Sequence, residues 1–369
     1  MPFIHSRGNP MSRIWLIFER PFSTDSDKGF MCSGGMGFAV QKMLEEGGIS
    51  IGECFLCARF PDTDVPYGSV SLDLDTYKPP LIFVIGAAGS FYLPELRPQG
   101  KQTSYKSQLD KYVGSLMKCD RLQWDHWMMP LRDPQDLMAD WTERNVTAYI
   151  DIQKFKDELV WWKKHGQVQP LRQRTLISHE MDTDEILGYL DAFRSCVALA
   201  EDIETVYPHG KGSKYKGIHP GMPVTFGIAS SPEFGISFNL FRDTPAATRE
   251  VWRAFDRLHS GGATIIGQNF FNFDSLFYNM MGFSLRRERF QDTLIRQHIL
   301  WPELPKALQF LTRQYTRQPY YKDEGKGWKL SQMNDLRHYN CLDVCVDFEV
   351  YEAQEEEFKQ RPHLKGVAA

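Results

Sequence analysis

The chain has 369 residues, 42% hydrophobic and 24% charged, with 43 basic against 47 acidic side chains and a formal net charge of −4. That length holds two domains with ordinary cores, and no apolar run is long enough to predict a membrane-spanning helix. The acidic balance argues against whole-surface binding to nucleic acid, while a focused basic groove remains compatible with it and it suits a protein that collects acidic metal ligands.

The first residues, MPFIHSRGNPMSRIW, have no apolar core of a secretory signal, and because the strand-like IWLIF follows directly on Met11, residues 1–12 are expected as a loose leader. IWLIF (14–18) reads as a short buried strand, and GFAVQKMLEEGGI (37–49) as a helix stopped by Gly47-Gly48. Cys54 and Cys57 form a lone C-x-x-C without a second pair at zinc-ribbon distance, which argues against a structural metal. With Cys32, Cys119, Cys196, Cys341 and Cys345 the cysteines number seven, odd and irregularly spaced, which fits a reducing, cytoplasmic setting. LIFVIGAAG (81–89) is a second strand entering a glycine turn, and DIQKFKDELVWWKKHG (151–166) an amphipathic helix with a basic end and a glycine stop. Strands alternating with helices predict an α/β domain over 13–166.

QVQPLRQRTLISH opens a polar, proline-containing stretch, and 167–180 is expected as a linker to a second domain, 181–369. There a helix (181–196), a strand in VALAEDIET, a hairpin in VTFGIASSPEFGISFNL (224–240) and a long closing helix (337–360) are predicted. The basic clusters Lys211/Lys214/Lys216 and Arg286/Arg287/Arg289 read as solvated faces.

The segment ALAEDIETVYPHG (198–210) sets Asp202 and Glu204 two apart at the end of an apolar run. In a strand such residues share a face, so the two charges repel unless a cation lies between them. Further acids follow: Asp274, just after the β-run ATIIG in the stretch Asn269-x-x-x-Phe273-Asp274, and Asp343 in Tyr339-x-x-x-Asp343. Four helical positions bring Tyr339 and Asp343 to within about 40° on one face.

Taken in order, Asp202-x-Glu204, Asn-x-x-x-Phe-Asp274 and Tyr339-x-x-x-Asp343 resemble the three motifs of the DEDD 3′→5′ exonucleases, tyrosine subclass, over about residues 185–360. The likeness is greatest to the proofreading domain of family A DNA polymerases, and QDTLIRQHILWPELPKALQFLTRQYT followed by PYYKDEGKGW resembles the phage members. The resemblance implies a ribonuclease H-like fold, a mixed sheet flanked by helices. It also implies two divalent ions, Mg²⁺ or Mn²⁺, held by Asp202, Glu204, Asp274 and Asp343. Asp202 would bridge the ions, with Glu204 and Asp343 on the nucleophile side and Asp274 acting through water, while Tyr339 would orient the attacking water. Hard cations of this kind take oxygen ligands, and a pair of them serves both the attacking and the leaving oxygen of a phosphodiester.

His338 lies five residues before Asp343 and also fits the histidine-subclass spacing. Five helical positions leave it about 140° from the aspartate, and the polymerase-like sequence between the motifs favours Tyr339. Asn269 is expected to tie the motif turn, and Phe270, Phe271 and Phe273 to be core. Asp292 is expected as a helix cap. Asn269, Phe273 and Lys322 are also candidate nucleic-acid contacts, with Lys326 beside them.

The front half, with Glu19 and Pro21 followed by Gly34 and Gly37 leading into VQKML, resembles uracil-DNA glycosylases of the iron–sulfur type, more loosely. Phe18 stands at the first glycine, Arg20 replaces a small residue, and MMPLRDP (128–134) lacks the base-stabilising histidine; the nearest is His126. Four cysteines at cluster spacing are also absent. The resemblance therefore implies a glycosylase-like fold without base excision. The expected function is exonucleolytic hydrolysis of DNA at single-stranded or frayed 3′ ends, in proofreading or end trimming beside a separate polymerase in phage-type replication, hence in a bacterial host cytoplasm. The alternatives are a ribonuclease D-like RNA exonuclease and a non-catalytic DNA-binding accessory.

Overall fold

The computed structural model describes residues 4–22, 24–25, 29–46, 48–59, 74–97, 105–119, 126–134, 143–206, 221–283, 285–325 and 332–364. The chain divides into two compact units, Met1–Leu171 and Arg172–Ala369.

In the N-terminal unit five strands, β1 (Ile14–Phe18), β2 (Cys54–Ala58), β3 (Leu81–Ile85), β4 (Met117–Cys119) and β5 (His126–Leu131), form one sheet in the order β2-β1-β3-β5-β4. All neighbours are parallel except β4, which runs against β5. Every residue of β1, β2 and β3 is buried, as expected of strands covered on both faces. The longer helices described there are α1 (Gly35–Glu46), α2 (Tyr105–Tyr112) and α3 (Glu143–His165). The third begins eight residues before the amphipathic stretch that announced it. Alternation sorts β1 cleanly: Ile14, Leu16 and Phe18 enter one core, Trp15 and Ile17 the other. Cys54 joins the first core and Cys57 the second, so the strand aims the two thiols to opposite faces and they cannot chelate one ion. The expected leader is packed in part: Ile4 is buried, and Arg7 exchanges backbone hydrogen bonds of 2.9 and 2.8 Å with Leu56.

Among the described residues the C-terminal unit holds six strands, β6 (Thr175–Ile177), β7 (Ala198–Val206), β8 (Met222–Ser231), β9 (Phe234–Phe238), β10 (Thr264–Gly267) and β11 (Phe290–Asp292), in the order β11-β10-β7-β8-β9-β6. Only β8 runs against the rest. It also contains the helices α4 (Thr183–Phe193), α5 (Pro245–Ser260), α6 (Asp274–Met281), α7 (Thr293–Leu300), α8 (Leu308–Tyr315) and α9 (Met333–Gln360). A mixed sheet flanked by helices is the architecture that the motif resemblance implied. The segment expected as a linker departs from expectation. Thr175–Ile177 pairs in parallel with β9 as an edge strand, because Leu176 and Ile177 are apolar enough to pack where the proline-bearing residues before them are not.

The two faces of the sheet differ. Leu199 and Ile203 of β7 enter a large core with α4 and α5. Ala200, with Ala229 of β8 and Ile266 of β10, faces Val344, Cys345 and Phe348 of α9. Small residues there let the long helix lie directly on the strands. A Cβ at Gly235 would stand 2.7 Å from Cys345 Sγ and 3.1 Å from the Cys341 carbonyl, and one at Gly227 2.6 Å from Asn340 Oδ1. This close seating brings α9 side chains beside the end of β7. Gly235→Val should therefore destabilise the protein by roughly 1–3 kcal/mol through overpacking. Gly188→Ala, in α4 with open space around it, should be neutral or stabilising by up to about 1 kcal/mol. Urea unfolding of the two variants checks the contrast.

Candidate active site

Asp202 and Glu204 project from β7 on the face that carries Ala200, toward α9. From α9 come Tyr339, Asn340 and Asp343, all buried. Carboxylate oxygens of Asp202, Glu204 and Asp343 lie within 4.8 Å of one another. The structure thus brings together a strand pair and a helical acid that are 139 positions apart, 343 against 204, in the chain.

Asp202 and Asp343 have distinct supports. Asn340 Nδ2 donates to Asp202 Oδ2 at 2.8 Å, and Asn340 Oδ1 accepts from Ser237 Oγ at 2.7 Å. Asp343 accepts from Lys322 Nζ at 2.6 Å on both oxygens, and the same ammonium donates to the Tyr339 hydroxyl at 3.1 Å. Asp274, 2% exposed, opens α6 and accepts the Ile203 amide at 3.2 Å. It stands outside the 4.8 Å triangle, one oxygen committed to the backbone of the strand that carries the other two acids.

The electrostatics follow from burial and crowding. Burial and the charge of Asp343 push Asp202 up to about 7, against the pull of Lys322 and Asn340. Burial, then the charge of Asp202, holds Asp274 well above the carboxylate range. Burial and Asp343 raise the Tyr339 hydroxyl likewise. A site that strains to keep its carboxylates charged, with donors that are all oxygen, is matched by a hard divalent cation.

The neighbouring candidates sort themselves. His338 is exposed and Tyr339 buried, since α9 already spans both positions. Asn269 adopts a left-handed conformation, φ 60°, and its amide donates to Asp292 Oδ1 at 2.9 Å. Its side-chain oxygen accepts from Asn272, so it ties the turn as expected. Phe270 is buried, and half-buried Phe273 packs edge-on against Phe277 at 5.2 Å. Asp292 caps α7 through the Leu294 amide and holds Asn269 and Phe271 besides. Lys322, expected at a nucleic-acid backbone, is paired inside the site instead. Arg286 and Arg287 are exposed, and Lys211, Lys214, Lys216 and Lys326 lie outside the described residues.

Sequence reasoning missed three groups. Asn340 supports Asp202 from the position next to Tyr339. Asp347, one turn beyond Asp343, is buried, accepts from Thr293 Oγ1 at 2.6 Å and is pushed up to about 8 by burial. A helical stripe of polar residues at 339, 340, 343 and 347 was the available signal. The third lies behind β7: Glu201 accepts from His259 Nε2 at 2.8 Å and from the Tyr278 hydroxyl at 3.1 Å, all within the core.

No family model and no curated protein matches this chain. Solved structures do. The catalytic core of RRP6 from Trypanosoma brucei aligns with 54% of this chain and 52% of its own, at 11% identity and TM-score 0.41. The chain thus spans about half the length of that structure. The Aedes aegypti Nibbler EXO domain aligns over its whole length and 55% of this chain, at 12% identity and TM-score 0.38. Escherichia coli RNase D, an exoribonuclease involved in structured RNA processing, aligns over 48% of its chain and 53% of this one, at 13% identity and TM-score 0.35. Likeness at that level bears no weight on chemistry, which rests on the side chains. Among the described residues no helix is long and apolar enough to cross a membrane.

The raised Asp202 makes a pH signature. A carboxyl whose folded pKa lies above its unfolded value binds more protons when folded, so its contribution to stability is full below about 4 and is lost as pH rises through about 7. In the presence of a chelator, the melting temperature of the wild type should fall by several degrees between pH 5 and 7.5. Asp202→Asn should flatten that slope.

Proposed function

We propose that the C-terminal unit is a metal-dependent 3′→5′ exonuclease of the tyrosine DEDD subclass, acting on DNA. The observation that carries the reading is the convergence of Asp202, Glu204 and Asp343 within 4.8 Å beside Tyr339. Asp202, Glu204 and Asp343 would hold the ions, with Asp274 set behind them. When bound, two divalent ions stabilise charge on the attacking and leaving oxygens of a phosphodiester and supply hydroxide near neutral pH. The chain's own residues do the rest. Asn340 fixes the Asp202 carboxylate so that one oxygen stays aimed at the site. Asp274 anchors the start of α6 to the Ile203 amide, close enough to Asp202 and Glu204 for their charges to raise it. The Tyr339 hydroxyl, kept protonated by burial beside Asp343, is suited to donate to or orient a water. The exposed His338 is unsuited to that task.

DNA as substrate, service beside a separate polymerase and a phage-type replication setting rest on the polymerase-like sequence between the motifs. The N-terminal unit is read as a glycosylase-like domain without base excision, a reading supported by its buried parallel strands and by β3 running into a turn at Gly86. A uracil-excision assay that yielded abasic sites would overturn that part.

The test is degradation of 5′-labelled single strands, DNA and RNA of matched sequence, with Mg²⁺ or Mn²⁺. A ladder shortening from the 3′ end is expected on DNA, abolished by EDTA and by Asp202→Ala. Faster loss of the RNA strand would transfer the assignment to a ribonuclease D-like activity, and no ladder with either metal would favour a non-catalytic accessory. Tyr339→Phe should lower the rate by about 100-fold or more, whereas His338→Ala should leave it within a factor of about two; the reverse would reassign the subclass.

A further inference from the structure

Lys322 is placed where a mobile surface lysine would not be. Its side chain is 16% exposed and its ammonium lies 2.6 Å from both oxygens of Asp343, itself 6% exposed. The same ammonium sits 5.3 Å from the ring centre of Tyr321 and 5.2 Å from that of Tyr339. The segment carrying it is seated by packing. Tyr321 is buried, its ring 5.9 Å from that of Tyr339, and a Cβ at Gly325 would stand 2.5 Å from the Tyr339 ring. Residues 321–325 therefore press on the aromatic ring whose hydroxyl Lys322 also engages.

We propose that Lys322 is an internal counter-cation that occupies the cation position of Asp343 in the metal-free protein and must leave it when metal binds. The inference rests on reading the carboxylate cluster as a metal centre. Two cations do not share the same pair of carboxylate oxygens at hydrogen-bonding distance, since like charges so close repel strongly. A divalent ion entering among Asp202, Glu204 and Asp343 displaces the ammonium, and with it the hydrogen bond that Lys322 donates to Tyr339. Metal entry and release of the Tyr339 hydroxyl thereby become one event. Lys322 accordingly sets metal affinity: it protects the crowded acids from one another when no metal is present and lowers their affinity for it.

The experiment reads metal binding rather than turnover. The full-length wild type, Lys322→Met, Lys322→Arg and Asp202→Asn proteins are stripped with chelator and titrated with Mn²⁺. Loss of the free-ion paramagnetic resonance signal gives affinity, and melting temperature gives the apo and loaded stabilities. Lys322→Met should bind the first Mn²⁺ about ten-fold or more tightly than wild type, with a lower apo melting temperature that Mn²⁺ restores. Lys322→Arg, which keeps the charge and guards against a mere folding defect, should stay within about three-fold of wild type. Unchanged or weaker binding by a folded Lys322→Met, with wild type binding normally and Asp202→Asn failing to bind, would overturn the lysine's role and leave the metal centre standing. A wild type that binds no Mn²⁺, or binds it equally after Asp202→Asn, would overturn the metal centre and the lysine's role together.

Discussion

The C-terminal unit depends on the close seating of α9 on the sheet. Ala200, Gly227, Ala229 and Gly235 present little or no side chain to the helix, so its backbone lies within reach of strand atoms. Only at that distance does Asn340 reach Asp202, and only then do the oxygens of Asp343 come within 4.8 Å of those of Asp202 and Glu204. Repulsion among the acids opposes the same seating. It is resisted by the apolar contacts of Val344, Cys345 and Phe348 farther along the helix, which stabilise the approach without touching the acids. The charged end of the interface is held by its greasy end.

Strand β7 must also present the right face. A one-residue slip of a strand exchanges its two faces, which here would turn Asp202 into the core and Glu201 toward α9. Glu201 resists such a slip because its core position carries dedicated partners, His259 on α5 and Tyr278 on α6. Tyr278 lies one helical turn beyond Asp274, so the network behind the strand and the acid at the head of α6 are fixed by the same helix. A buried polar cluster of this kind contributes little net stability when compared with apolar packing, yet it penalises the wrong register heavily.

Much of this was legible in the chain itself. The apolar runs IWLIF, LIFVI and TIIG became strands with the expected positions, and the hairpin at 224–240 formed as β8 and β9. The spacing of Asp202 with Glu204, and of Tyr339 with Asp343, placed each pair on one face because strand and helix periods are fixed by backbone geometry. What could not be read was contact between distant segments. Lys322 looks like any loop lysine until the chain brings it to Asp343. Glu201 looks like one more charge in AEDIE until His259 and Tyr278 arrive. The edge strand at Thr175–Ile177 hid in a polar stretch because it is only three residues long, and its two apolar residues, Leu176 and Ile177, point to opposite faces, one toward each core.

Buried acids are not in themselves evidence of a metal, and this molecule holds examples of both kinds. Asp292 is buried and raised, yet it accepts backbone amides from Asn269, Phe271 and Leu294 and is accounted for as a cap and loop tie. Asp347 is answered by Thr293 and sits as a single carboxyl pushed up to about 8, where a bound proton can neutralise it. Asp202, Glu204 and Asp343 differ because their carboxylate oxygens lie within 4.8 Å of one another, so three negative charges crowd one place. Asn340 and Lys322 answer part of that charge from its edges. A cluster that folding draws together against repulsion, on a helix seated for the purpose by glycine and alanine, breaks the local rules of core composition where function most often does. The proposed divalent cation is supported by that imbalance of charge more directly than by any one motif.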